Sequence, residues 1–326
     1  MGGGADPWTR YWATGRLDAC AADDGGRYFP EIRDRWWRFF ADLDDGAAVL
    51  DVATGNGAVL AVAAEYAARN GVHFELVGVD KARPSPDEVR TLAERAGCSL
   101  ELRGETPAEA LPFEADRFAA VTAQFALEYT ETPRALARVA EVLAPGGDFM
   151  MIGHRDDSAV AAQTRRDRED VRVVLRRGGL LDRFDALVAA EIDGETLAPE
   201  RRATAAFRDA REAFRREAAG GVDRCEGRDA TQRRFLDRLL TNLGELYQHR
   251  SRHPLATVRA TQRALREEVS AHGARLDDLL AAALAAEDRD ALRAGLEEHG
   301  FALLADAPVR RADGAVLGHE LRARLG

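Results

Sequence analysis

A strand that runs into a glycine bend and straight out into a helix leaves a chain few ways to fold. Val49-Leu50-Asp51-Val52-Ala53-Thr54-Gly55-Asn56-Gly57 is such a stretch, and the apolar run Ala58 to Ala68 follows it. The apolar residues before the bend read as a short buried strand, and the run after it reads as a helix. Glycine is needed in the bend because a side chain would oppose positive φ and keep a ligand off the backbone. The helix start then presents unpaired N–H groups and a positive dipole end to whatever lies there. Strand, bend and helix in this order point to an α/β fold and a nucleotide-type binding turn. A dinucleotide fingerprint would need a third glycine where Leu60 stands, and a phosphate loop would need Gly-Lys-Ser/Thr, which the sequence lacks.

The downstream residues keep the strand and helix alternation. Phe74 to Asp80 reads as a second strand ending in a carboxylate 23 residues beyond Gly57. A carboxylate there can accept hydrogen bonds from both hydroxyls of a ribose. A helix begins at Asp87 after Pro84 and Pro86, and a third strand spans Ser99 to Arg103. Asp116 to Tyr129 reads as a fourth strand and its exit. A helix from Pro133 to Leu143, the turn Ala144-Pro145-Gly146-Gly147 and a fifth strand from Asp148 to Gly153 complete this block.

These segments together resemble class I S-adenosylmethionine-dependent methyltransferases. Val49 to Gly57 is similar to the family's VLDxGxGxG motif, with Ala53 at the first glycine. Gly104 to Phe113 resembles GDAEALPF, and Pro107 stands where that pattern has its aspartate. Asp116 to Tyr129 is similar to FDxVxSQFxLEY, and Leu143 to Gly147 matches a Leu-x-Pro-Gly-Gly turn. The resemblance implies a Rossmann-like seven-stranded sheet closed by an antiparallel strand pair. It implies S-adenosylmethionine as cofactor and S-adenosylhomocysteine as product. It assigns the cofactor to Asp51, Ala53, Thr54, Gly55, Asn56 and Gly57 in the bend, to Asp80 and Lys81 after the second strand, and to Gln124 and Phe125 at the fourth strand's end. Glu105, Thr106 and Ala108 are to replace the missing aspartate.

Four segments follow from this reading: an aromatic helical cap at 1–46, a Rossmann-like core at 47–154, an all-α insertion at 155–286 and a completing segment at 287–326. In the cap, Ile32, Trp36, Phe39, Phe40 and Leu43 share one helical face and read as packing on the sheet. Tyr11 and Trp12 lie in a more irregular stretch, where many relatives carry a segment that folds over the cofactor. Aromatic faces suit a sulfonium or an adenine, and ordinary packing is the alternative. The insertion holds helical runs beginning near Ser158, Gly179, Pro199, Ala230 and Pro254. Its wide apolar stripe, Phe235, Leu236, Leu239, Leu240, Leu243, Leu246 and Tyr247, is of bundle type. It reads as a substrate lid, a dimerisation arm or both. Near the end, Asp313-Gly314 is a hairpin signal between two strand-like runs.

Charge and cysteine usage narrow the setting. A net charge of −10 argues against a general grip on nucleic acid. The three cysteines, Cys20, Cys98 and Cys225, show neither a disulfide framework nor zinc-ligand spacing. His249 and His253 have an i,i+4 spacing, but Pro254 follows and no third ligand is evident, so no metal is expected. No stretch approaches a membrane span and the N-terminus does not read as a signal peptide, so the expectation is a cytoplasmic protein.

Methyl transfer from a sulfonium is an in-line displacement that depends mostly on alignment, with a base where the acceptor must lose a proton. His154, at the opening of the fifth strand, is the first candidate because histidine titrates near neutrality. Glu128 and Tyr129 are the second. The leading expectation is methylation of a small organic molecule on oxygen or nitrogen, by a possible homodimer that binds neither nucleic acid nor membrane. The alternatives are methylation of a protein or peptide, a sulfonium-assisted rearrangement, and a non-catalytic cofactor-binding scaffold.

Overall fold

A computed structural model describes residues 7–17, 29–85, 87–194 and 196–326. Cys20, Tyr28 and Pro86 lie outside the described residues. The chain divides into two compact units, one of residues 1–162 and 278–326 and one of residues 163–277. Residues 155–162 and 278–286, read from the sequence as insertion, thus group with the sheet.

The first unit is built on five parallel strands: β1 (Ala48–Val52), β2 (Glu75–Val79), β3 (Ser99–Arg103), β4 (Phe118–Gln124) and β5 (Leu143–Gly153). Two long strands, β6 (Phe301–Arg310) and β7 (Val316–Leu325), form the terminal hairpin, and β7 pairs antiparallel with β5. The order across the sheet is β3-β2-β1-β4-β5-β7-β6. It reverses beside β1, and in an open sheet of this kind ligands bind beyond the carboxyl ends of the strands at that point. β5 is longer than read from the sequence, because the Pro145-Gly146-Gly147 turn is itself counted within the strand.

Both faces of the sheet are covered, as parallel sheets require. On one face α2 (Pro30–Ala41), α3 (Ala58–Asn70) and α4 (Asp87–Ala96) pack with Val49, Leu76, Met150 and Ile152. On the other, α5 (Thr132–Val142) and the helix Ala286–Glu298 pack with Leu50, Val77, Val121 and Phe149. The i, i+4, i+7, i+8 pattern of Ile32, Trp36, Phe39 and Phe40 is what docks α2, since all four are buried. A short helix, α1 (Pro7–Trp12), precedes it.

The second unit has its own core. The helix Leu180–Ala189 contributes Leu181 and Phe184, and the helix Ala230–His249 contributes Leu236, Leu239 and Leu243, the centre of the stripe read from the sequence. The helix Ala205–Arg224 is capped by the Thr204 hydroxyl, which accepts from the Phe207 N–H. A hairpin of Ile192–Asp193 with Thr196–Leu197 interrupts what reads from the sequence as wholly helical. Buried Glu191 accepts from both Nε and Nη2 of Arg250, whose guanidinium also lies 3.5 Å from the Tyr247 ring centre. Such a buried pair fixes geometry more than it stabilises.

Phe40 sits wholly buried between Trp36, Phe39 and Phe74, so Phe40→Ala is expected to lower the unfolding free energy by about 3–5 kcal/mol. Leu304→Ala, at a side chain 51% exposed, is expected to change it by less than about 0.5 kcal/mol. Urea titration of both variants checks the contrast.

Candidate active site at the carboxyl edge of the sheet

The bend after β1 is shaped from beneath. Asp51 is 1% exposed, and its two oxygens accept from the Thr54 hydroxyl at 2.6 Å and the Thr122 hydroxyl at 2.7 Å. Thr122 lies on β4, so this carboxylate ties the bend to the neighbouring strand. Burial pushes the Asp51 carboxyl up to about 7 against the pull of the two hydroxyls. The sequence reading places Asp51 among the cofactor contacts. Its oxygens turn inward instead, and it braces the bend.

Ala53 takes φ +50°, the left-handed conformation for which the family motif uses glycine. Gly55 takes φ +55°, and a Cβ on it would lie 2.5 Å from the Trp12 ring. Glycine is therefore required there twice, by conformation and by close approach. Gly57 is the N-cap of α3 at φ +88°.

Asp80 stands at the end of β2, facing this bend. Its Oδ2 accepts from the Gly55 N–H and its Oδ1 from the Ala82 N–H, both at 2.7 Å. The Thr106 N–H donates to the Asp80 carbonyl, which brings the turn after β3 to the same edge. Glu105 takes φ +54° but is exposed and ion-paired with Arg83, and Lys81 is exposed. Ala108 is buried in the single turn Ala108–Ala110. Of the group named to replace the missing aspartate, Thr106 and Ala108 line the edge, and Glu105 points to solvent.

Asn56 joins three segments. Its amide donates to the carbonyls of Trp12 and Arg16, and its Oδ1 accepts from the Ser85 N–H. The Thr9 hydroxyl accepts from the Arg83 N–H, and Trp8 Nε1 donates to Asp278. Together these hold α1 against the bend, with Trp12 8% exposed. Trp8, Thr9 and Asp278 are absent from the sequence-based assignment. The signal available for Trp8 was its one-turn spacing from Trp12.

The exits of β4 and β5 form the other half of the site. Gln124 accepts from Trp36 Nε1, while its own Nε2 is buried with no partner among the described residues. Phe125 follows at φ +52° and donates its N–H to the Ile152 carbonyl at 2.7 Å. Glu128 accepts from the His154 N–H at 2.7 Å and the Ala126 N–H at 3.0 Å, lacing the two exits together. Burial lifts its carboxyl to about 7. His154 is wholly buried, and its ring lies flat on Phe125 at 4.1 Å between centres. Neither ring nitrogen has a partner among the described residues. Burial pulls its pKa down to about 3, so the near-neutral titration expected from the sequence is not what this environment gives. Tyr129 meets His154 edge-on, and Trp8 meets Tyr129 the same way.

Bend, strand-end carboxylate and sheet order are those that the resemblance to class I methyltransferases implies. Residues 49–147 match the family described as a methyltransferase domain. Among solved structures, the chain is similar to one from a complex of a methyltransferase activator and a methyltransferase of Haloferax volcanii, at 23% identity over 47% of this chain and 62% of that one, with a TM-score of 0.34. It is also similar to the 1,6-didemethyltoxoflavin-N1-methyltransferase of Burkholderia thailandensis, at 14% identity over 98% of this chain and 85% of that one, with a TM-score of 0.45. An S-adenosylmethionine-dependent methyltransferase of Mesorhizobium loti matches at 21% identity over 37% and 53%, with a TM-score of 0.28. The match thus spans less than two thirds of the Haloferax and Mesorhizobium chains. Nothing among the curated proteins matches. Among the described residues no helix is long and apolar enough to cross a membrane.

Asp51→Asn is the sharpest test of the brace, because the Thr54 and Thr122 hydroxyls can turn to accept from an amide. A carboxyl whose folded pKa is raised stabilises fully below its unfolded pKa, and that contribution is lost as pH rises through about 7. The variant lacks this loss. Its stability relative to the parent is expected to improve by about 2–4 kcal/mol between pH 4 and pH 8, read from denaturant melts.

Proposed function

We propose that this chain transfers a methyl group from S-adenosylmethionine to a small organic acceptor, on oxygen or nitrogen. The observation that carries the reading is the face of Gly55. Its backbone is left-handed, it has no side chain, the Asp80 carboxylate lies beside it, and the covering group is an aromatic ring on a six-residue helix. The Trp12 ring lies where a Cβ would stand, and the bare backbone beneath it would take the adenosyl sulfonium once that ring is displaced. Bound there, the cofactor supplies an already activated methyl group.

The chain's own residues do the rest. Backbone N–H groups of the bend and the start of α3 favour the cofactor's carboxylate. Asp80 receives the ribose hydroxyls, Thr106 and Ala108 border the adenine, and Gln124 offers its unpaired amide. Tyr11 and Trp12 exclude water from above. Glu128 holds the β4 and β5 exits in register, which fixes where the acceptor sits, and alignment of that kind carries much of the rate. His154 is neutral at physiological pH, so a ring nitrogen is available to orient an acceptor O–H or N–H. Glu128 accepts a backbone N–H from each exit, which suits it to holding the two exits together.

Calorimetry tests the cofactor first. Asp80→Ala is expected to weaken S-adenosylmethionine binding by about tenfold or more, with melting temperature followed in parallel. Unchanged affinity discards the ribose role. Release of S-adenosylhomocysteine with the dialysable fraction of a cell extract, and not with the retained proteins, supports a small acceptor. The reverse result assigns the activity to protein methylation, and no release with either fraction leaves the scaffold reading.

A further inference from the structure

Four rings meet in series at the exits of β4 and β5: Phe125, His154, Tyr129 and Trp8. Phe125 and His154 lie 7° from parallel, and the other two contacts are edge to face, the offset geometries that aromatic rings prefer. The plane of the first pair is built in. Phe125 is held in the left-handed region, where a non-glycine residue is strained, and strain of this kind persists only where the surroundings enforce it. Beneath its ring Gly318 leaves room, since a Cβ there would lie 3.2 Å from Phe125 Cε1. The His154 backbone is fixed in turn by Glu128.

Within this rigid frame the His154 side chain is an anomaly. Both ring nitrogens are buried and have no partner among the described residues, whereas buried polar atoms in folded proteins are nearly always paired. A neutral imidazole offers one N–H donor and one acceptor nitrogen. Arg155, next in the chain, is turned to Asp157 and His319, so it brings no cation to an anionic ligand here. Glu128 already accepts from two backbone N–H groups and leaves no oxygen aimed at a cationic one. The outer end of the series is Trp8, which is carried on the six-residue α1 and whose Nε1 donates to Asp278.

We infer that the methyl acceptor is a flat, uncharged aromatic or heteroaromatic molecule that enters this series of rings and donates an O–H or N–H to a His154 nitrogen. The word acceptor rests on the methyltransferase reading above; the binding chemistry rests on the rings and on His154. One more flat ring extends the existing edge-to-face packing, and its polar hydrogen pairs an atom that the fold leaves unsatisfied.

The test uses three probes and calorimetry, with and without S-adenosylhomocysteine. 2-Naphthol is flat and carries a donor, naphthalene is flat and carries none, and 2-decalol carries a hydroxyl on a saturated frame. 2-Naphthol is expected to bind about tenfold more tightly than either of the others. His154→Phe keeps a ring on Phe125 and removes both nitrogens, so it is expected to erase the preference for 2-naphthol over naphthalene and leave naphthalene within about twofold. Tyr129→Leu is expected to weaken both flat probes together. Equal binding of 2-naphthol and 2-decalol to the unaltered protein, or a naphthol preference that survives in His154→Phe, overturns the inference. Protein that binds S-adenosylhomocysteine but none of the flat probes overturns it alone and leaves the methyltransferase reading standing. Protein that binds 2-naphthol with the stated preference but no S-adenosylhomocysteine overturns that reading and supports the pocket.

Discussion

Two hydroxyl groups and one buried carboxylate hold the bend after β1 in shape, and the site depends on that clamp. Thr54 lies in the bend and Thr122 on the adjacent strand, so Asp51 ties the bend to β4. A carboxylate placed so deep resists ionisation, and the two donors offset only part of that resistance. The fold thus carries an unfavourable buried acid in order to keep the glycine backbone above it open. With the bend fixed, Gly55 can turn its N–H to Asp80 and its bare Cα to Trp12. The second strand and the N-terminal helix are both positioned from this one turn.

The opposite side of the site is organised by strand exits. Glu128 accepts one N–H from beyond β4 and one from beyond β5, and Phe125 adds a backbone bond between the same strands. These links keep Phe125 and His154 face to face at a point where irregular backbone would otherwise be free to vary. Gln124 is oriented by the buried Trp36, so α2 contributes to the candidate site as well as to the hydrophobic face it covers.

Much of this was legible in the sequence because it follows from local rules. The bend needed glycines, the second strand ended in an acid at the right distance, and the pattern of α2 named its own buried face. The turn signal Asp313-Gly314 also located the terminal hairpin, since it sits between β6 and β7. What the sequence did not disclose is direction. Asp51 and Asp80 look alike as strand-end carboxylates, yet one turns under the bend and the other toward its outer face. His154 reads as a titrating base in isolation, and only its complete burial against Phe125 shows a ring held neutral. The contacts of Thr9 and Asn56 join residues far apart in the chain, which spacing cannot reveal. The short hairpin at Ile192–Leu197 was missed for a simpler reason, since two-residue strands leave no periodic pattern.

The pairing of β5 with β7 has a consequence for how the chain matures. Asp148 lies opposite Arg324 in that ladder and also accepts from its guanidinium, so partners far apart in sequence close the sheet. Contacts of such long sequence separation form late, because the intervening chain must first be brought to order. During synthesis the edge of β5 therefore stands uncovered, with its backbone groups unpaired, until residues 316–325 arrive. An apolar edge left open in this way invites pairing with other chains. The interval between translation of β5 and of β7 is thus one in which that edge can pair wrongly.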